Sequence, residues 1–226
     1  MKRFLLLFLI ANIFIIAKTN AQGMEDKFPV TIINATVTKK LLFYFSGDGG
    51  INNFTEKLCA ELAAKNFTVI CFNSRKYFWK QKTPEQFATD ASEIITYYLT
   101  QYNKKDFSVV GYSFGADAAV YFAKLLPKKL QPKLFSVVLL SPSIATDFKI
   151  KITDLLGMES NSGEYKILPE LNKLAVPVLS VFGDEGDKTF YNGIASKKNL
   201  RKALLKGSHK FDNNISLVST TIITGL

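Results

Sequence analysis

Three groups of residues set far apart in the chain could together break an ester. Gly111-Tyr112-Ser113-Phe114-Gly115 is a Gly-x-Ser-x-Gly pentapeptide, Asp184-Glu185-Gly186-Asp187 is a cluster of acids, and His209 is the sole histidine. Read in that order they supply a nucleophile, an orienting carboxylate and a general base. A serine hydroxyl needs a neighbour to take its proton, and imidazole titrates closest to neutral pH. Glycines on both sides of the serine let a strand and a helix meet at a sharp, strained turn. A glycine-flanked turn with a capping serine is the plainer reading of the pentapeptide. Its flanks favour the nucleophile: Phe107-Ser108-Val109-Val110 reads as a strand and Ala116–Leu126 as a helix.

The acid and the base stand where they should for this chemistry. Val176–Gly183 reads as a strand, and the acidic cluster lies at its end. Asp187 is the first choice for the orienting carboxylate and Glu185 the second, with Asp184 in the same window, because sequence fixes a strand's end only to a residue or two. Arg201–Leu205 reads as the last short strand, and His209 follows in a glycine-containing loop. Backbone N–H groups must hold the oxygen anion that forms as Ser113 attacks. Phe114, next to the serine, is one source. The loop Ser46-Gly47-Asp48-Gly49-Gly50 after the apolar run Leu41–Phe45 is the other, through Gly47, Asp48 and Gly49. A Walker-type phosphate loop would end in Gly-Lys-Ser/Thr, which this one does not.

These parts need a scaffold, and the chain alternates as a parallel sheet wrapped by helices would. Phe28–Thr38 alternates apolar and polar residues, as an edge strand or hairpin does. Asn53–Lys65 carries Phe54, Leu58, Leu62 and Ala63 on one helical face, and Phe67–Phe72 is strand-like. Thr83-Pro84-Glu85 opens another helix, with threonine as cap and proline at the first position. Leu134–Leu140 is one more buried strand. The expected fold class is α/β, a mainly parallel sheet with helices on both faces. The longest connection, Ser143–Leu174, is the natural place for a minimal cap, with a strand at Asp147–Ile152 and a loop at Met158–Tyr165.

Composition bounds the class. The chain has 226 residues, of which 47% are hydrophobic, enough for one domain with a sizeable core. Met1–Ala21 has the marks of a cleaved secretory leader: Lys2-Arg3, the apolar Phe4–Ala17, then a small residue at the cut. That apolar run falls short of the ~20 residues a membrane span needs. The expectation is therefore a leader over 1–21, a single domain over 22–226, and an exported, periplasmic protein. The net charge of +10 is spread over scattered lysines, with no aromatic–basic alternation of the nucleic-acid-binding kind. A basic exterior suits peripheral contact with an anionic membrane surface, and equally an ordinary solvated surface. Cys59 and Cys71 are either a disulfide or two buried thiols. One histidine and two separated cysteines form no recognisable metal site, and no cofactor is expected.

Several motifs together resemble a known family. Gly47-Asp48-Gly49-Gly50, Tyr77-Phe78-Trp79 with Thr83-Pro84-Glu85, and Gly111-Tyr112-Ser113-Phe114-Gly115-Ala116-Asp117 are similar to those of the bacterial VirJ/AcvB virulence proteins. The likeness extends through Phe148–Gly157 and Gly183-Asp184-Glu185. It implies an α/β-hydrolase fold, export to the periplasm, and hydrolysis of lysyl-phosphatidylglycerol. The family's paired histidines near the C-terminus stand here as His209-Lys210, so only the first is matched.

The resemblance and the residues together imply a mechanism. His209 takes the proton of Ser113, the oxyanion rests on Phe114 and the Gly47–Gly49 loop, and His209 then protonates the leaving glycerol hydroxyl. A lysyl group carries two positive charges, so acids are wanted near the serine. Asp48 and Asp117 are nearest in sequence, with a turn role and a helix-dipole role as their respective alternatives. Tyr77, Phe78 and Trp79 read as the C-terminal end of a strand, the rim where open parallel sheets bind ligands. They either line a lipid-binding pocket or cover the core. Three readings remain: a hydrolase of aminoacyl phospholipid, an esterase, lipase or thioesterase of other substrates, and a non-catalytic binding module.

Overall fold

The computed structural model describes residues 23–33, 40–151 and 163–226. Its centre is a parallel sheet, and the reason is visible in β2 (Lys40–Phe45), β3 (Phe67–Phe72) and β4 (Phe107–Tyr112). Their side chains are buried on both faces, save the half-buried Lys40 at the start of β2, which only helices on both sides can provide. Because side chains alternate along a strand, each strand feeds two cores. Leu41, Phe43, Phe45, Phe107, Val109, Val137 and Leu139 point into one. Leu42, Tyr44, Val110, Tyr112, Val138 and Leu140 point into the other.

Seven strands run in the order β1-β3-β2-β4-β5-β8-β9, where β1 is Val30–Ile33, β5 is Leu134–Leu140, β8 is Val178–Gly183 and β9 is Leu200–Leu205. β1 pairs antiparallel with β3 at the edge, and every other pairing is parallel. The register aligns the C-terminal ends: Phe45 lies opposite Gly111, Tyr112 opposite Leu140, and Gly183 opposite Leu205. Six loops therefore emerge along one rim, one after each parallel strand, and every residue assigned chemistry from sequence lies in or beside them.

After the short helix α1 (Met24–Lys27) and β1, helix α2 (Asn53–Ala64) covers the second core together with α8 (Ile215–Thr224). Asn52 caps α2 by accepting from the Thr55 N–H. On the first core lie α4 (Pro84–Gln101) and α5 (Phe114–Leu125). The predicted start of α4 is present as a full capping box: Thr83 accepts from the Gln86 N–H, and the Gln86 side chain accepts from the Thr83 N–H. Between β3 and α4 stands a one-turn helix, α3 (Ser74–Tyr77).

The cap region differs from expectation. Its described part is an antiparallel pair, β6 (Ala145–Thr146) with β7 (Tyr165–Lys166), then α6 (Ile167–Leu171) packed on α5. The strand expected over Asp147–Ile152 falls two residues earlier, and Asp147–Lys151 is irregular; Ile152 to Asn161 and Ser162 lie outside the described residues. Asp147 instead closes the pair by accepting from the Glu164 N–H and pairing with Lys151. Helix α7 (Thr189–Gly193) follows β8. Among the described residues no helix is long and apolar enough to cross a membrane.

Candidate active site

Ser113 joins β4 to α5 in a backbone conformation of φ 52° and ψ −122°, a sparsely populated region that a folded chain retains only where its surroundings impose it. The surroundings are the two glycines. A Cβ on Gly111 would lie 2.3 Å from the Gly115 carbonyl oxygen, and one on Gly115 would lie 2.1 Å from the Phe45 carbonyl oxygen. No side chain fits at either place, so strand and helix close tightly and the serine is pushed out at the rim. The helix begins at Phe114, two residues before the expected start, which puts the Phe114 N–H at the first, unbonded position of α5.

The glycine loop after β2 lies directly against the serine. A Cβ on Gly47 would stand 3.3 Å from Ser113 Cβ and 3.3 Å from the Tyr112 ring. A side chain here would crowd the serine, so only backbone fits comfortably and the Gly47–Gly49 loop runs directly beside Ser113. Asp48 accepts from the Gly49 N–H, as a turn residue does.

His209 reaches the same rim from the other side. Gly207, at φ 101°, bends the chain out of β9, and a left-handed turn over Phe211, Asp212 and Asn213 returns it to α8. Phe211 is fully buried and pins that turn. The His209 ring packs on the Tyr112 ring at 5.4 Å between centroids. Two consecutive residues of one strand end tie the partners together: the Leu140 carbonyl accepts from the Ser113 N–H at 2.8 Å, and the Ser141 hydroxyl donates to the His209 carbonyl at 3.1 Å. Ser141 was not singled out from sequence. A lone serine after a strand carries no pattern, and its φ of 47° is visible only in three dimensions.

The acids separate by what they hold. Asp184 accepts from the Gly207 N–H at 2.9 Å, so its carboxylate braces the histidine loop. Glu185 is exposed, and its backbone N–H bonds to the Gly207 carbonyl. Asp187 shares a cavity of about 260 Å³ with His209, Ser208, Ser141 and Ser143. Hydrogen bonds from the Thr189 N–H, and then from its hydroxyl, hold the Asp187 carboxyl below the usual range. Of the three candidates, it is the one that lines the same cavity as His209. Gly183 permits this approach, since a Cβ there would lie 2.2 Å from the Ser208 carbonyl. Among the described residues no group of three His, Cys, Asp or Glu could hold a metal ion.

The expected pocket residues lie elsewhere than at the serine. Asp117 is 2% exposed. Its carboxylate accepts from the Ser143 N–H at 2.8 Å and from the Ser143 hydroxyl, so it clasps the loop after β5 onto α5. Phe78 is fully buried, with its ring 4.9 Å from Phe114 and 5.8 Å from Phe148. Tyr77 is buried too, and its hydroxyl donates to Asp90 at 2.6 Å. Trp79 alone of the three aromatics reaches water, at 53% exposure. Tyr77 ends α3 rather than a strand. Cys59 and Cys71 are buried thiols whose sulfurs lie 2.7 Å apart, and burial raises the Cys59 thiol's pKa.

A mostly parallel seven-stranded sheet, a strained serine after its central strand and a histidine loop after its last strand define an α/β-hydrolase fold. The chain is similar to MenH from S. aureus, with a TM-score of 0.63 at 15% identity over 87% of this chain and 97% of that one. It is also similar to a proline iminopeptidase of Mycobacterium smegmatis, with a TM-score of 0.62 at 13% identity over 87% and 94%. A thermophilic esterase from Thermogutta terrifontis gives a TM-score of 0.63 at 14% identity over 86% and 92%. No curated protein sequence matches the chain. The sequence model of a family described as bacterial virulence protein (VirJ) matches residues 39–226, and the chain belongs to that family.

Proposed function

We propose that this protein is an exported serine hydrolase that cleaves an ester, foremost the aminoacyl ester of lysyl-phosphatidylglycerol. The observation that carries the hydrolase reading is the strained Ser113, with Gly47 backbone against it and the His209 loop tied to the same strand end. A strained residue is costly and persists where a function needs it. In this reading the Ser113 hydroxyl oxygen attacks the ester carbonyl while His209 takes its proton. The carbonyl oxygen becomes an anion held by the N–H groups of Phe114 and the Gly47–Gly49 loop. Collapse breaks the ester bond, and His209 returns the proton to the departing glycerol hydroxyl. Water then splits the aminoacyl-serine by the same steps in reverse order. Asp187 steadies the imidazolium.

The lysyl substrate rests on family resemblance. Of the two acids suggested for its positive charges, Asp117 is buried against Ser143, whereas Asp48 stands half-buried in the loop beside the serine. Residues 1–21 act as a cleaved leader in this reading, so the protein works outside the cytoplasm and meets lipid there. The test is turnover of vesicle-borne lysyl-phosphatidylglycerol by the purified protein and by Ser113→Ala, followed by thin-layer separation. Release of lysine by the first and not the second is expected. Cleavage of simple esters or thioesters with the lipid untouched would transfer the assignment to a different acyl substrate. No turnover of any ester would leave a binding module in a hydrolase shell.

A further inference from the structure

The segment after β3 sorts its side chains into two sets. Tyr77 and Phe78 are buried, whereas Arg75, Lys76, Trp79 and Lys80 are exposed. The buried pair anchors the exposed set from beneath: Phe78 is wedged between Phe87, Phe114 and Phe148, and Tyr77 is bonded to Asp90. The patch is therefore held rigidly, and little ordering is required when something binds it. Among the described residues no carboxylate forms an ion pair with Arg75, Lys76 or Lys80. Lys82, nearby, already sits over the Tyr77 ring. A cavity of about 480 Å³ opens between Trp79, Arg75, Lys76, Asn73 and the Gly49–Ile51 loop.

A half-exposed indole among unpaired cations is the composition that settles at a lipid headgroup layer: the ring lies at the boundary, and the cations meet phosphates. The patch also abuts the candidate active site. A Cβ on Gly50 would lie 3.1 Å from Arg75 Cβ, and one on Gly47 would lie 3.3 Å from Ser113 Cβ. The serine and the patch thus flank a single short loop. We infer that Arg75, Lys76, Trp79 and Lys80 form a docking surface for an anionic phospholipid bilayer, which brings headgroup esters to the rim that carries Ser113. The delivery role rests on the hydrolase reading; the docking does not.

Trp79 is the sole tryptophan, so its fluorescence reports on this patch alone. The full chain carrying Ser113→Ala, which excludes turnover, is titrated with vesicles of phosphatidylcholine and with vesicles that also contain phosphatidylglycerol. A blue shift of the emission is expected with the anionic vesicles only, weakening as salt is raised. Adding Arg75→Gln, Lys76→Gln and Lys80→Gln, with the fold verified by circular dichroism, should weaken the binding about a hundredfold, roughly fivefold for each cation. Equal shifts on both vesicles, no shift on either, or an unchanged shift in the charge variant would each overturn the docking surface. Because no hydrolysis is read, such a failure leaves the serine chemistry standing. Conversely, absent lipid turnover leaves the docking standing.

Discussion

Replacing Asp117 by alanine separates a structural clasp from a substrate-binding acid. The carboxylate accepts two hydrogen bonds from Ser143, through its backbone N–H and its hydroxyl, at a site only 2% exposed. Hydrogen bonds to a charged group contribute about 1.5–3 kcal/mol each. Part of that loss is offset, because the buried charge and its desolvation cost vanish with the side chain. The net destabilisation expected is about 3 kcal/mol, which for a chain of this size lowers Tm by roughly 6–12 °C. Ser143→Ala keeps the backbone bond and loses the hydroxyl, so it should cost about half as much. The double variant should cost less than the sum of the two, because they share one interaction. Thermal melts by circular dichroism read all three. Hydrolysis of a neutral soluble ester should fall in parallel, since the loop after β5 lines the cavity beside His209. An unchanged Tm for Asp117→Ala, with activity lost on cationic substrates alone, would refute the clasp and put the acid in the substrate pocket.

Other outcomes follow from the same geometry. Gly115→Ala places a methyl group 2.1 Å from the Phe45 carbonyl; lifting α5 off the sheet should cost about 3 kcal/mol or more, with ester hydrolysis nearly abolished. Gly207→Ala must adopt φ 101° and would meet Asp212 at 2.3 Å, so it should lose about 2 kcal/mol of stability and displace the His209 loop. A urea midpoint unchanged in either glycine variant would show that the space is not tight. In acid, two carboxyls besides Asp187 are held low in the fold. Asp147 is lowered by Lys151 and the Glu164 N–H, and Glu170 by Lys173 and Lys124. A depressed folded pKa gives stability that is present above the unfolded value of about 4 and lost as pH falls through the lowered ones. The urea midpoint should therefore drop below pH ~4, and less steeply in Lys151→Gln; an equal slope would exclude that pair as a cause. In alkali the sign reverses for Tyr77, whose hydroxyl is pushed up first by burial and then by Asp90. Its contribution is full below the unfolded value of about 10 and fades above it, so Tyr77→Phe should flatten the alkaline decline.

The parts dictated by steric necessity were legible in the sequence. Gly111 and Gly115 announce the elbow because no other residue fits there, and the Thr83-Pro84 start of α4 announces itself by capping chemistry. The buried strands were legible because apolar runs of that length need cover on both faces. What sequence leaves open is the side a residue takes. Tyr77 and Phe78 have a pocket role and a core role open to them and take the core one, because nothing local tells an irregular segment which face is down. Asp117 had a helix-dipole role or a pocket role open to it, and takes neither alone: its partner, Ser143, is distant in sequence. Ser141 and the bracing role of Asp184 went unread for the same reason, since both act on the His209 loop across strands that sequence does not pair. The cap strand fell two residues early because a two-residue pairing has no period to detect.

The central claim is that Ser113 is a nucleophile activated by His209. Intact-mass analysis after exposure to a fluorophosphonate probe tests it most directly. One adduct, mapped to Ser113, absent in Ser113→Ala and slowed by orders of magnitude in His209→Ala, is the predicted result. A folded wild-type protein that gains no adduct, or gains one at the same rate without its histidine, would contradict it.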